Sequence, residues 1–127
     1  MDLALKILVG LIALLLLLMG FNLMFAPESA VAGFGITPDG VQGLNTIRGD
    51  LGGMFIASTV LLGLGLWKGQ PQWYLAVAIT MGAIAFGRGV GFALDSGPAT
   101  ADLTPFIAEL IIVAILVLAS RRLMMPE

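Results

Sequence analysis

The sequence predicts an all-α fold: one integral membrane domain over residues 1–127, a four-helix bundle with both termini cytoplasmic. Three observations predict it. Hydrophobic residues make up 59% of the chain and charged residues 11%. A soluble domain carries about 25% charged residues, so this chain lacks the polar side chains to cover a surface in water. Four separate stretches reach the roughly 20 mostly apolar residues that a spanning helix needs. The basic residues between and beyond those stretches gather on one side of them.

The first helix is expected over residues 3–25, with the Leu14–Leu18 run at its centre. Lys6 ahead of that run and Ala30-Val31-Ala32 behind it imitate a signal peptide and its cleavage site. The apolar run is longer than the about 7–15 residues of a signal h-region, so a retained helix is expected. Residues 27–45 form the long outer loop. Pro27-Glu28 opens a short interfacial helix near Glu28–Ala32, with Pro at its first position and an acid in its first turn. Phe34 and Ile36 follow among glycines, and Pro38-Asp39-Gly40 signals a turn.

The second helix is expected over 46–67. Lys68-Gly69-Gln70-Pro71 makes a tight turn, so the third helix, 72–93, runs antiparallel beside it. Asp95-Ser96-Gly97-Pro98 opens a short loop to the fourth, 103–120. Lys6, Lys68, Arg121 and Arg122 share one side, and Glu28, Asp39, Asp95 and Asp102 the other. The positive-inside rule then puts both termini and the Lys68 turn in the cytoplasm, with Trp67 and Trp73-Tyr74 as interface anchors. The expected location is a cell membrane, plasma or inner, crossed several times.

Composition also excludes chemistry. Cys and His are both absent, which removes disulfides, thiol nucleophiles, Cys/His metal sites and haem ligation by His. Neither a metal nor a cofactor is expected. A net charge of −2 without a basic block leaves no nucleic-acid footprint.

Inside the spans the informative residues are ionisable. Arg48 and Asp50 lie in the second helix, Arg88 in the third and Glu109 in the fourth. At about 1.5 Å per residue, Asp50, Arg88 and Glu109 sit about 6, 7.5 and 9 Å below the outer surface. Arg48 marks the upper edge of this layer, with Asn45 and Asp95 just above. A charge at mid-bilayer costs about 2.5–3.5 kcal/mol on insertion scales, so four charges call for mutual pairing. Two bases and two acids suit a closed network, with Arg88 and Glu109 the best pair. Arg48 and Asp50, two positions apart, do not face each other on a helix. The layer reads as a structural lock or as a pocket for a headgroup or small polar ligand, with snorkelling the third reading and easiest for Arg48.

Gly49-x-x-x-Gly53 and Gly87-x-x-x-Gly91 are small-xxx-small patterns where backbones can approach beneath this layer. Gly63-x-Gly65 offers another close approach. Ser58 and Thr59 are expected to bond carbonyls of the preceding turn. The methionines, among them Met19, Met24, Met54 and Met81, read as packing residues.

Asn45-Thr46-Ile47-Arg48 followed by Gly52-Gly53, Gly87-Arg88 followed by Asp95, and Pro27 with Phe34-Gly35-Ile36 together resemble the domain of unknown function 4345 family. The resemblance spans most of the chain and implies a four-helix bacterial membrane protein with no established reaction. The family pattern often has an acid after the Asn and an aromatic before the Gly pair. Here Thr46 and Leu51 stand there, and Asp50 supplies an acid nearby. By analogy it is similar to DoxX-like four-helix proteins, some of which are accessory subunits of membrane complexes. Small multidrug exporters need a membrane-embedded Glu in the first helix, where this chain's only strongly polar interior residue is Asn22. Dual-topology fluoride channels need balanced flanking charges, unlike the bias here.

The function expected is a non-enzymatic accessory or assembly protein, or one that binds lipid or a small ligand at Arg48, Asp50, Arg88, Glu109, Asn45 and Asp95. Membrane lipids are the expected partners, with a larger membrane complex or a homo-oligomer beside them. The alternatives are a small transporter or channel gated by that cluster, and a membrane enzyme acting on a lipid-like substrate through Asp50 and Glu109.

Overall fold

The computed structural model describes residues 1–95, 97 and 100–125, with side chains from Leu103 onward in the last stretch. The expected loop residues Ser96 and Pro98, and the side chain of Asp102, lie outside the described residues. Everything regular in the described residues is helical, and four helices are long and apolar enough to cross a membrane.

The first span, α1, covers Leu3–Phe25. Asp2 caps it: its carboxylate accepts from the Leu5 N–H at 2.8 Å, satisfying one of the donors a helix start leaves unpaired. Pro27 then starts the short helix α2, Pro27–Ala32. The chain reverses through Gly35 at φ 70°, a left-handed position that glycine occupies without steric cost. Around it the Phe34 and Ile36 N–H groups both donate to the Val31 carbonyl, at 2.9 and 3.3 Å.

The second span is one continuous run, Gly40–Lys68. It comprises α3 (Gly40–Thr46), a π-helical turn (Ile47–Gly52) and α4 (Gly53–Lys68). It therefore begins six residues ahead of the expected Thr46. Asn45 and Thr46 look like a boundary because both are poor helix formers. Here the Thr46 hydroxyl donates to the Gln42 carbonyl at 3.0 Å, which settles it within the helix. The run ends at Gly69, φ 63°, whose N–H donates to the Gly65 carbonyl at 2.9 Å. That left-handed stop is the reason the next helix turns back at once.

Pro71 opens the third span, α5 (Pro71–Leu94). The fourth, α6, covers Thr100–Met124 and carries Pro105 inside its second turn. It outruns the expected end at Ser120 because Arg121 and Arg122 favour the negative end of a helix dipole.

The spans close into a ring. α1 packs on α4 and the π turn, α4 on α5, α5 on α6, and α6 returns to α1. The half nearer the termini is filled: Val9, Leu62, Tyr74, Val77 and Leu116 are fully buried. Tyr74 corrects one expectation. It is not an interface anchor, because Gly65 leaves room for its ring. A Cβ on Gly65 would stand 2.5 Å from Tyr74 Cε1. Trp67, by contrast, is 81% exposed, and the Trp73 indole N–H donates to Gln70 Oε1 at 3.0 Å.

Candidate functional site

The other half of the bundle holds the ionisable residues, and the π turn organises it. The Gly53 N–H donates to both the Arg48 and Gly49 carbonyls, mixing the five-residue and four-residue spacings. Such widened turns occur mostly as short insertions at functional sites. Glycine permits this one. Gly52 is buried against α1, where a Cβ would meet Met24 Cγ at 2.8 Å and the Gly20 carbonyl oxygen at 3.4 Å. The expected pairs Gly49/Gly53 and Gly87/Gly91 do none of this: a Cβ at any of the four meets nothing within 4 Å. Contact runs through Gly20 and Gly52, whose spacing spans two helices and forms no pattern along one.

Arg48 leaves the π turn towards α1. Its Nε–H donates to the Met24 carbonyl at 3.0 Å. Met24 belongs to the last turn of α1, where carbonyls have no intrahelical donor. Arg48 is thus a helix cap supplied by a neighbouring span. Its Nη1 also donates, at 3.4 Å, to Asn45 Oδ1. Asp50 and Asp95 are exposed, and among the described residues neither side chain makes a hydrogen bond or ion pair.

Arg88 and Glu109 do meet. Antiparallel packing of α5 on α6 brings the Arg88 Nε within 3.0 and 3.1 Å of the two Glu109 carboxylate oxygens. The side chains are 25% and 12% exposed. Arg88 has a further interaction beyond the described residues. Among the described residues the charged layer comprises an interhelical ion pair, a cap formed by Arg48 with Asn45, and two exposed acids. Arg48 is met by a backbone carbonyl of α1 and a side-chain amide oxygen rather than by a carboxylate.

The ion pair lies in the wall of a cavity of about 300 Å³ between the four spans. Among the described residues, Arg88 and Glu109 are the charged ones in that wall. The remainder is apolar: Leu16 and Met19 from α1, Leu51 from the π turn, Met54 and Phe55 from α4, Met81 and Ile84 from α5, Pro105 and Ile112 from α6. Phe34 and Ile36, just beyond α2, contribute to it from the connecting loop. Leu15 of α1 and Ala108 of α6 also line it and are exposed, so the cavity opens sideways between the first and last spans. Sequence reasoning placed the ion pair but missed this chamber. Its one available signal was a pair of large apolar residues, Phe34 and Ile36, in a loop that had no evident use for them.

Other residues behave as simple packing chemistry requires. Ser58 Oγ donates to the Met54 carbonyl at 2.9 Å. Thr59 Oγ1 lies 3.1 Å from the Phe55 carbonyl and 3.2 Å from that of Ala13. Among the described residues no group of acids is arranged to hold a metal ion.

A family model described as "Domain of unknown function (DUF4345)" matches residues 4–120, almost the whole chain. No curated protein and no solved structure matches.

Proposed function

This chain belongs to the DUF4345 family, and we propose that it is a non-enzymatic membrane protein that binds a lipid-like amphiphile in the chamber beside Arg88 and Glu109. One observation carries the reading: a cavity of about 300 Å³ whose apolar wall is interrupted by the Arg88–Glu109 ion pair. Ligand sites are mostly apolar, with a few polar groups that fix orientation. The side opening between Leu15 and Ala108 faces where lipid tails would lie, so an amphiphile can enter without crossing water. With the basic ends inside, the ion pair lies in the outer half of the bilayer and the closed core faces the cytoplasm.

That closed core also favours binding over conduction. A transporter needs a route through the half where Leu62, Tyr74 and Leu116 are fully buried. The test is native mass spectrometry of protein extracted in mild detergent. Wild type is expected to retain a lipid. Ala108→Trp, which fills the mouth, is expected to lose it while remaining folded. Equal retention by both would refute the proposal.

A further inference from the structure

The first span uses only one of its faces inside the bundle. The inner face, with Val9, Ile12 and Leu16, is buried. The outer face carries Leu8, Leu11, Leu15, Leu18, Asn22 and Phe25, all exposed. Their spacing alternates three and four residues, as the a and d positions of a heptad do along the seam between two coiled helices. In a helix this rich in leucine such a spacing alone carries no meaning. What marks this seam is that Asn22, the strongly polar side chain of the span's interior, falls on an a position.

Asn22 lies three residues before the end of the span, which is about 4.5 Å inside it. Each Cα–Cβ bond of a helix tilts toward the N-terminus. The short Asn22 side chain therefore leans into the span and away from the nearer headgroups. Among the described residues this side chain makes no hydrogen bond, and it is exposed. Where lipid covers the face, its two N–H donors and its acceptor oxygen are left without partners. Amides so placed bond across to neighbouring helices.

The surface around Asn22 is shaped for such a neighbour. Leu18, Phe21, Asn22 and Phe25 line a hollow there, with Met19 and Ala26 at its margin. Phe21 and Phe25 form one side, stacked with ring centroids 5.7 Å apart. In a coiled pair each a-position knob enters a hole formed by four residues of the facing helix. For a parallel partner with Asn22 as the knob, those four are Leu18, Phe21, Asn22 and Phe25. The hollow thus fits the Asn22 of an identical helix. An amide is also its own complement, because each can donate to the other's oxygen about a twofold axis. The loop-charge bias gives every copy the same orientation, so two α1 helices meet parallel with Asn22 at one level.

We propose that this face is the interface with a second copy of the chain: α1 against α1 in a parallel pair, with the two Asn22 amides bonded across the twofold axis. The interface runs along one side of the chamber mouth, through Leu15, and does not depend on what the chamber holds. The chain has no Cys, so single cysteines report contact. In phosphatidylcholine vesicles at low protein density, the full chain with Leu18→Cys is expected to cross-link on oxidation. Ile79→Cys, similarly exposed on α5, is expected not to. Energy transfer between labelled copies diluted with lipid measures affinity, and Asn22→Leu is expected to pair about tenfold more weakly while keeping its helical content. Equal cross-linking at both positions, or at neither, overturns the interface. A wild-type chain that stays monomeric through the dilution series also overturns it, and leaves the face to lipid or to another protein. Undiminished pairing by Asn22→Leu overturns the role of the amide.

Discussion

The two halves of this bundle are built from the same helices and solve different problems. Nearer the termini, α1, α4, α5 and α6 converge on a filled core in which Val9, Leu62, Tyr74, Val77 and Leu116 have no exposure. At the other end the same four spans part around a chamber, and an ion pair occupies its wall. In a bilayer, water provides little drive for helices to associate, so close packing carries the load. The filled half can supply that packing. The hollow half cannot, and it holds together through specific bonds: Arg88 to Glu109 between α5 and α6, and Arg48 to the end of α1. The contrast teaches where each kind of substitution should hurt.

The largest effect should come from the hollow half. Arg88→Ala leaves the Glu109 carboxylate without its partner in an apolar wall. The expected loss is about 3 kcal/mol, the lower end for breaking a buried pair, because Arg88 is a quarter exposed. Unfolding in detergent measures it. The double change Arg88→Ala with Glu109→Ala should recover much of that loss, since the Glu109 carboxylate is then no longer stranded. Equal losses in the single and double variants would mean that the pair does not bind the two helices.

In the filled half the weak point is steric. Gly65→Ala places a methyl group where the Tyr74 ring lies, 2.5 Å from Cε1. The ring is rigid and fully buried, so neighbouring atoms must move. Overpacking of this kind costs about 1–3 kcal/mol. We expect about 2 kcal/mol, a clear drop in melting temperature in detergent. A neutral result would show that this half is softer than its burial indicates.

How much of this could be read from residues alone follows the same division. The spans were legible because apolar length is a local property, and so was the Arg88–Glu109 pair, which needs only antiparallel neighbours and similar depth. The fate of Arg48 was not legible. Its partner is a main-chain carbonyl of Met24, which every residue possesses and no side-chain pattern announces. The π turn was hidden for a related reason: Gly49, Gly52 and Gly53 signal a weak helix, and the widened turn is fixed by how closely α1 presses on Gly52. The chamber was hidden because a cavity is a property of several helices together. Tyr74 misled because a Trp-Tyr pair beside a turn imitates an interface belt, and the space at Gly65 lies on another helix.

The smallest effects separate glycines that pack from glycines that merely occur. Gly52 and Gly53 are neighbours, yet a Cβ on Gly52 meets Met24 Cγ at 2.8 Å while one on Gly53 meets nothing within 4 Å. Gly52→Ala is expected to cost about 1 kcal/mol, the lower end of overpacking, because the Met24 side chain can partly yield. Gly53→Ala should stabilise by about 0.5–1 kcal/mol, since alanine loses less freedom in a helix and touches no neighbour here. Opposite signs at adjacent positions, measured by unfolding in the same detergent, would locate the contact on the face turned to α1. Losses at both positions would mean instead that the face bearing Gly53 packs against something outside this chain, and would revive the Gly49-x-x-x-Gly53 spacing as an intermolecular contact.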